Sequence, residues 1–123
     1  MERIAEGEYA VMEVLWEQAP LTAAEVADRV PADRGWTLAT VKTMLSRLLA
    51  KGVLDHQQDG RRYLYRPLVA REDYVAAESQ GLLDRLFEGR LAPLVSHFSE
   101  RQRLSPRDIA DLKRLIQELD DGQ

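Results

Sequence analysis

The sequence contains no cysteine among its 123 residues, which excludes disulfides, thiolate metal sites and cysteine nucleophiles. It also lacks long apolar runs, since none approaches the roughly 20 residues that a membrane-spanning helix requires. The N-terminal stretch MERIAEGEY is charged where a signal peptide would be apolar. These absences predict a cytoplasmic location and no membrane insertion.

Enzyme motifs are also missing. No serine is followed three residues later by lysine, and there is neither a Gly-x-Ser-x-Gly sequence nor a phosphate-binding glycine loop. His56 and His97 have no second ligand at metal-binding spacing, so each is expected to be structural or exposed. We therefore expect a protein that is not an enzyme and that uses no metal and no cofactor.

Carboxylates are scarce in one long segment, although the whole chain is acidic with a net charge of -4. Between Trp36 and Arg66 six bases accompany only two acids, which gives this segment a net charge of +4. The residues before it carry −5 and the residues after it carry −3. Because the local field matters more than the net charge for attracting phosphates, the segment favours contact with nucleic acid.

Three helical patterns occupy the first half of the chain. Residues 6–18 carry apolar side chains at helical spacing. Thr22 and Glu25 then form a Thr-x-x-Glu capping box that opens a second helix. The third helix is the stretch TLATVKTMLSRLLAKG, with Thr37 as its N-cap and Gly52 as its C-terminal stop.

A β-hairpin is predicted after the third helix. The runs VLDHQQ and RRYLYR flank Asp59-Gly60, and Asp-Gly between such runs is a strong hairpin signal. If these two residues form the loop, Arg61 and Arg62 lie at its tip. The same loop predicts two cross-strand pairs, Leu54 with Tyr65 and His56 with Tyr63. Three helices followed by a basic-tipped hairpin is the order of a winged helix.

The third helix has two contrasting faces. Its apolar stripe is expected in the core and comprises Leu38, Val41, Met44, Leu45 and Leu48. The remainder carries short hydroxyl side chains that permit close approach, and bases that reach phosphates or base edges. A solvated surface is the alternative, but the neighbouring capped helix and basic hairpin favour DNA recognition. The predicted DNA contacts are Thr37, Ala39, Thr40, Lys42, Thr43, Ser46, Arg47, Arg61 and Arg62.

Three further helices are predicted after residue 70. The first runs from about Glu72 to Glu88, and a shorter one covers residues 91–98. The last opens at Ser105, with Pro106 at its first position and Asp108 in capping-box position. Apolar residues of the last helix recur at steps of three and four, which is typical of a helix that packs on another helix.

Together these stretches resemble the penicillinase-repressor family of the BlaI/MecI type. The resemblance covers EYAVMEVLW, TLATVKTMLSRLLAKG, YLYRP and GLLDRLFEGRLAPLVSHF, and so runs nearly end to end. It implies a mainly α fold with a small hairpin wing, a winged helix-turn-helix DNA-binding domain (1–69) and a helical dimerisation domain (70–123). It places Thr40, Lys42, Thr43 and Arg47 towards the major groove. The expected dimerisation residues are Leu82, Leu86, Phe87, Leu91, Leu94, Ile109, Leu112, Ile116 and Leu119.

The resemblance also implies a control by proteolysis. In antibiotic-responsive members a membrane sensor-protease system signals a cut between Asn and Phe in the dimerisation region. His97 and Phe98 occupy the matching positions, so the Phe is retained and the Asn is not. Copper-responsive relatives carry a cysteine-rich metal motif, which the absence of cysteine here argues against.

The sequence thus predicts a homodimeric, sequence-specific transcriptional repressor of β-lactamase or other stress-response genes. A twofold dimer requires a pseudo-palindromic operator, with recognition helices entering major grooves roughly 34 Å apart. A winged-helix module that binds protein instead of DNA is the alternative, and salt-insensitive or absent DNA binding would favour it. Expected phosphate contacts are Lys42, Arg61 and Arg62, and expected base contacts are Thr40, Thr43 and Arg47.

Overall fold

The structure is a computed structural model that describes residues 3–122. Helices dominate, and the two strands form one antiparallel hairpin, which confirms the predicted fold class. The α-helices and strands are α1 (Glu6–Glu17), α2 (Ala23–Arg29), α3 (Leu38–Ala50), β1 (Leu54–Asp59), β2 (Arg62–Pro67), α4 (Arg71–Leu86), α5 (Leu91–Glu100) and α6 (Pro106–Asp121), and a short 3-10 helix (Ala32–Arg34) lies between α2 and α3.

The chain divides into two compact units. The first ends at Val75 and the second begins at Ala76. The predicted boundary between the DNA-binding and dimerisation domains, after residue 69, lies six residues before the end of the first compact unit. The assignment of these two functions to the two domains stays a prediction. α1, α2, α3 and the hairpin belong to the first unit.

Side-chain caps begin the helices that carry the site. Thr22 Oγ1 accepts a hydrogen bond from the Glu25 amide at 3.2 Å, and Glu25 Oε1 accepts one from the Thr22 amide at 2.9 Å. At α3, Thr37 Oγ1 accepts from the Thr40 amide at 3.2 Å. Gly52 follows the helix with φ of 75°, a left-handed conformation that glycine adopts without a steric penalty. The predicted start and end of α3 are therefore confirmed.

The core of the first unit lies between its helices and the base of the hairpin. Val41, Leu45 and Leu48 of α3 have no exposed surface, as the apolar stripe predicted. Leu38 was also expected there, but 42% of it is exposed. It occupies the first position of α3, and the buried stripe begins one turn later at Val41. Other buried apolar residues include Val11, Met12, Leu15, Leu21, Val26, Val53 and Leu54.

The hairpin has a different register from the predicted one. Asp59 pairs with Arg62, so the two-residue loop is Gly60–Arg61 and not Asp59–Gly60. Gly60 takes a φ of 66°, while Asp59 stays in the ladder and its carboxylate binds the Arg62 guanidinium at 3.1 Å. The pairs Leu54–Tyr65 and His56–Tyr63 were wrong, since the ladder joins Leu54 to Pro67, His56 to Tyr65 and Gln58 to Tyr63. Because the register differs by two residues, every side chain keeps its predicted face.

Two backbone hydrogen bonds join the hairpin to the segment before α2. The Leu21 amide donates to the Tyr65 carbonyl at 3.1 Å, and the Tyr65 amide donates to the Leu21 carbonyl at 2.8 Å. Leu21 itself is buried and immediately precedes the N-cap of α2. The wing is therefore held against the same core that holds α3.

The first turn of α4 packs on α1. Tyr74 is 5% exposed, and its ring centroid lies 5.8 Å from that of Tyr9 and 5.7 Å from that of Trp16. Arg71 Nε donates to Glu13 Oε1 at 2.9 Å. These aromatic and ionic contacts explain why the first compact unit continues to Val75.

The second unit contains the rest of α4 together with α5 and α6. α4 ends at Leu86, two residues before the predicted end, because Glu88 and Gly89 both have positive φ. Ser105 and Asp108 form the predicted capping box at α6, with distances of 3.0 and 3.1 Å. Within residues 3–122 no helix is long and apolar enough to cross a bilayer.

Candidate nucleic-acid interface

The outward face of α3 carries short side chains at its centre. Successive helical residues rotate by about 100°, so positions 39, 43, 46 and 50 share one stripe opposite the buried stripe. All four are exposed. This central ridge, defined by Ala39, Thr43, Ser46 and Ala50, lets the helix backbone approach a surface closely.

Three of the four hydroxyls on α3 and its N-cap are already engaged. Thr37 and Thr40 hydroxyls lie 3.1 Å apart and share a hydrogen bond, and Thr37 also caps the helix. Thr43 Oγ1 donates its proton to the Ala39 carbonyl at 3.1 Å. Ser46 is exposed, and its hydroxyl makes no hydrogen bond to another residue in the described range 3–122.

The bases of α3 differ in their partners. Lys42 and Arg47 are exposed and take part in no salt bridge among residues 3–122. Lys51, at the C-cap, is occupied: its Nζ donates to the carboxylate of Glu8 at 2.5 Å and to the Arg3 carbonyl at 2.8 Å. Lys51 therefore anchors the end of α3 and is not available to a ligand.

Glu8 is a buried carboxylate that the sequence interpretation missed. Its residue is 2% exposed, and Oε1 also accepts from the Ala5 amide at 3.1 Å. Burial alone would raise the pKa of Glu8, but the hydrogen bonds from Lys51 and the Ala5 amide, with attraction from Lys51 and Arg47, hold that pKa below its usual value. Its position at helical spacing from the buried residues Val11, Met12 and Leu15 was a signal of burial.

The hairpin offers one unpaired base at its tip. Arg61 lies in the loop, is exposed, and makes no side-chain ion pair within the described residues. Arg62 was expected at the tip, but it begins β2 and binds Asp59. Arg66 likewise binds Asp55 at 2.9 Å, and this hydrogen bond lowers the pKa of the Asp55 carboxyl. The positive charge of the segment is therefore concentrated in Lys42, Arg47 and Arg61.

An aromatic cluster covers one face of the wing. The ring centroids of His56 and Tyr63 lie 4.7 Å apart in an edge-to-face arrangement, and Tyr65 lies 5.8 Å from His56. Burial raises the pKa of the Tyr65 hydroxyl. Tyr65 packs against the core, so packing between strands explains these side chains better than stacking on bases does.

The remaining predicted positions lie in the second unit. His97 and Phe98 fall inside α5, both exposed, with their ring centroids 5.5 Å apart. No group of three His, Asp or Glu side chains suited to a metal ion occurs in the part of the chain that the structure describes. A groove of about 710 Å³ is lined by residues of both α5 and α6, and its apolar lining is Leu91, Ala92, Val95, Leu112, Leu115, Ile116 and Leu119.

Three helices, an anchored hairpin and an exposed hydroxyl-and-base face on the third helix define a winged-helix DNA-binding protein. The family model described as Penicillinase repressor matches residues 4–118. The chain belongs to the penicillinase repressor family, whose members are transcriptional repressors and not enzymes.

Individual relatives agree with this membership. The penicillinase repressor of Bacillus licheniformis is 33% identical over 116 residues, which cover 94% of this chain and 91% of that protein. The methicillin resistance regulatory protein MecI of Mammaliicoccus sciuri is 26% identical over 113 residues, or 92% of each chain. A solved structure of monomeric Bacillus licheniformis BlaI in complex with the blaP half-operator is 34% identical, covers 59% of this chain and 89% of that chain, and has a TM-score of 0.51.

Proposed function

We propose that this chain represses transcription by binding a pseudo-palindromic DNA operator as a homodimer, at β-lactamase or other stress-response genes. The observation that carries the proposal is the exposed face of α3, which holds hydroxyls, no carboxylate, and two bases that make no salt bridge within residues 3–122. The related BlaI monomer forms a complex with a half-operator, and this relative supports DNA as the partner here.

The unpaired bases supply the phosphate contacts in this proposal. Lys42 and Arg47 flank the central ridge of α3 at about 70° to either side, and Arg61 lies at the wing tip. Long cationic side chains beside a helix in the major groove reach the phosphates of the bordering strands. We therefore assign Arg47 to a phosphate, although the sequence predicted a base contact. Arg62 contributes less, because its guanidinium already binds Asp59.

The apolar surface of the second unit supports a homodimer. Leu91 is 59% exposed, Ile116 is 59% exposed and Leu119 is 65% exposed. Exposed apolar area of this extent marks an interaction surface, and a second copy of the chain is the occupant that a twofold operator requires. The dimer would place two α3 helices in major grooves about 34 Å apart.

The proposed control of the repressor is cleavage of the chain within α5. A repressor acts where the chromosome is, so the proposed location is the cytoplasm. A sensor-protease system that cuts between His97 and Phe98 would divide α5 and detach α6. Loss of the dimer would then leave two weakly binding monomers in place of one bivalent ligand.

Selection of bound fragments from the genome of the source organism tests this function. The full chain should enrich a small set of fragments and shift them in gels. With three phosphate contacts on each of two subunits, affinity should fall about a thousandfold between 50 and 200 mM salt. Lys42→Ala should weaken binding and flatten the salt dependence, while Lys113→Ala, which removes the same charge from α6, should do neither.

The alternative of a protein-binding module makes the opposite prediction. Enrichment of no fragment over random DNA, or binding that does not respond to salt, would exclude the proposed operator. Equal losses for Lys42→Ala and Lys113→Ala would show that total charge, and not the α3 face, controls the interaction.

A further inference from the structure

Thr43 stands at the centre of the α3 face that meets DNA in the proposed function, on which this inference rests. Its neighbours on the central ridge are Ala39, Ser46 and Ala50, none of which extends beyond it. The long bases Lys42 and Arg47 lie to the sides. Thr43 is therefore the largest side chain on the line of closest approach to the floor of the major groove.

The hydrogen bond of Thr43 restricts what this residue can recognise. A threonine hydroxyl has one proton to donate and two lone pairs to accept with. Here the proton is used within the helix, since Oγ1 donates to the Ala39 carbonyl at 3.1 Å. Towards a ligand, Thr43 then presents only an accepting oxygen and the Cγ2 methyl group.

Few base pairs present major-groove edges that suit both the accepting oxygen and the methyl group of Thr43. An accepting oxygen needs an exocyclic amino group, which adenine and cytosine provide and guanine and thymine do not. A methyl group finds an apolar partner only in the 5-methyl group of thymine. An A·T pair offers both groups, whereas a C·G pair offers the amino group alone.

We propose that Thr43 selects an A·T base pair in each operator half-site. Its Oγ1 accepts a hydrogen bond from adenine N6, and its Cγ2 contacts the thymine 5-methyl group. Thr40 does not compete for this role, because it is half-buried and its hydroxyl is bonded to Thr37. Ser46, with an uncommitted hydroxyl, tolerates either a donor or an acceptor and so specifies its base less strictly.

Base analogues test the two groups separately in the operator obtained by genomic selection. Replacing each thymine in turn by deoxyuridine removes only a methyl group. One position per half-site should lose about fourfold in affinity for the native chain, the factor that corresponds to one buried methyl group. Replacing the paired adenine by purine, which lacks the 6-amino group, should also weaken binding at that position.

Two substitutions of Thr43 serve as controls for each other. Thr43→Ser removes the methyl group, so binding should become insensitive to deoxyuridine and remain sensitive to purine. Thr43→Val removes the oxygen, so the sensitivities should be reversed. Neither variant changes a charge, so both should keep the native salt dependence, which separates a lost base contact from misfolding.

The inference is overturned if the native chain binds its operator specifically and the binding of Thr43→Ser remains as sensitive to deoxyuridine as that of the native chain at every thymine. If the base contact of Thr43 maps to a C·G pair and not to an A·T pair, the assignment of Thr43 to an A·T pair is equally excluded. Failure of the proposed function would look different, because the native chain would then prefer no sequence at all.

Discussion

The ion pair between Glu8 and Lys51 should control the stability of the first unit and the position of α3. The Glu8 side chain is 3% exposed and the Lys51 side chain is 22% exposed. Removing one partner of a buried pair strands the other and costs about 3–5 kcal/mol. Because Lys51 keeps some contact with water and with the Arg3 carbonyl, we expect Glu8→Gln to lower the free energy of unfolding by about 2–3 kcal/mol.

Unfolding followed by tryptophan fluorescence measures this cost, since Trp16 and Trp36 both lie in the first unit. For a unit of this size the loss corresponds to a fall in melting temperature of about 10–20 °C. The double variant Glu8→Gln, Lys51→Met should be more stable than the sum of the two single losses predicts, because neither partner is left unpaired. Strict additivity would exclude a direct coupling.

The pH dependence of stability is a second test of the ion pair between Glu8 and Lys51. The folded state lowers the pKa of Glu8 from its ordinary value of 4.5. The stabilisation is therefore complete above that pH and is lost as the pH falls through the lower folded-state value. The difference in stability between the native chain and Glu8→Gln should shrink in acid. If the unfolding free energies of the native chain and Glu8→Gln differ by no more than about 0.5 kcal/mol at pH 7, the range typical of surface changes, the ion pair does not stabilise the first unit.

Three other predictions concern the wing, the boundary of the first unit and the dimer. For the dimer, Arg61→Ala should make the plot of log affinity against log salt concentration less steep, by about two units of slope. Asp59→Asn should strengthen binding, because it releases Arg62. Equal slopes for the native and Arg61→Ala chains would exclude the wing-tip contact. A fragment ending at residue 75 should melt cooperatively by circular dichroism, and one ending at residue 69 should lose several degrees or more, because it lacks Tyr74; equal melting would contradict the aromatic packing. Leu119→Glu should shift sedimentation at micromolar concentration from dimer to monomer and weaken operator binding, and an unchanged dimer would remove α6 from the interface.

Local signals were sufficient to predict the helices of the site. Thr37 and Gly52 bracket α3 because a hydroxyl cap and a left-handed glycine act on their immediate neighbours. The Thr22–Glu25 capping box could be predicted for the same reason. Each of these features depends on residues only a few positions apart, so one sequence contains all the information.

Interactions between distant residues were not predictable in the same way. Glu8 and Lys51 lie 43 positions apart, and no local pattern relates them. The hairpin loop could be placed at either of two positions beside Gly60, and the bond between Asp59 and Arg62 accompanies the observed register. Consequently the sequence identifies a basic segment but does not show which of its bases are already paired.

A hydroxyl-radical footprint of the full chain on a genomically selected fragment shows directly whether a dimer places two α3 helices on one operator. Two α3 helices of one dimer should protect two patches on the same side of the duplex, with centres about 10 base pairs apart. The protected sequences should be related by twofold symmetry, and Thr43→Val should change the sequence preference without abolishing protection. A single protected patch, or protection without sequence preference, would show that the chain is not a dimeric, sequence-specific operator-binding repressor.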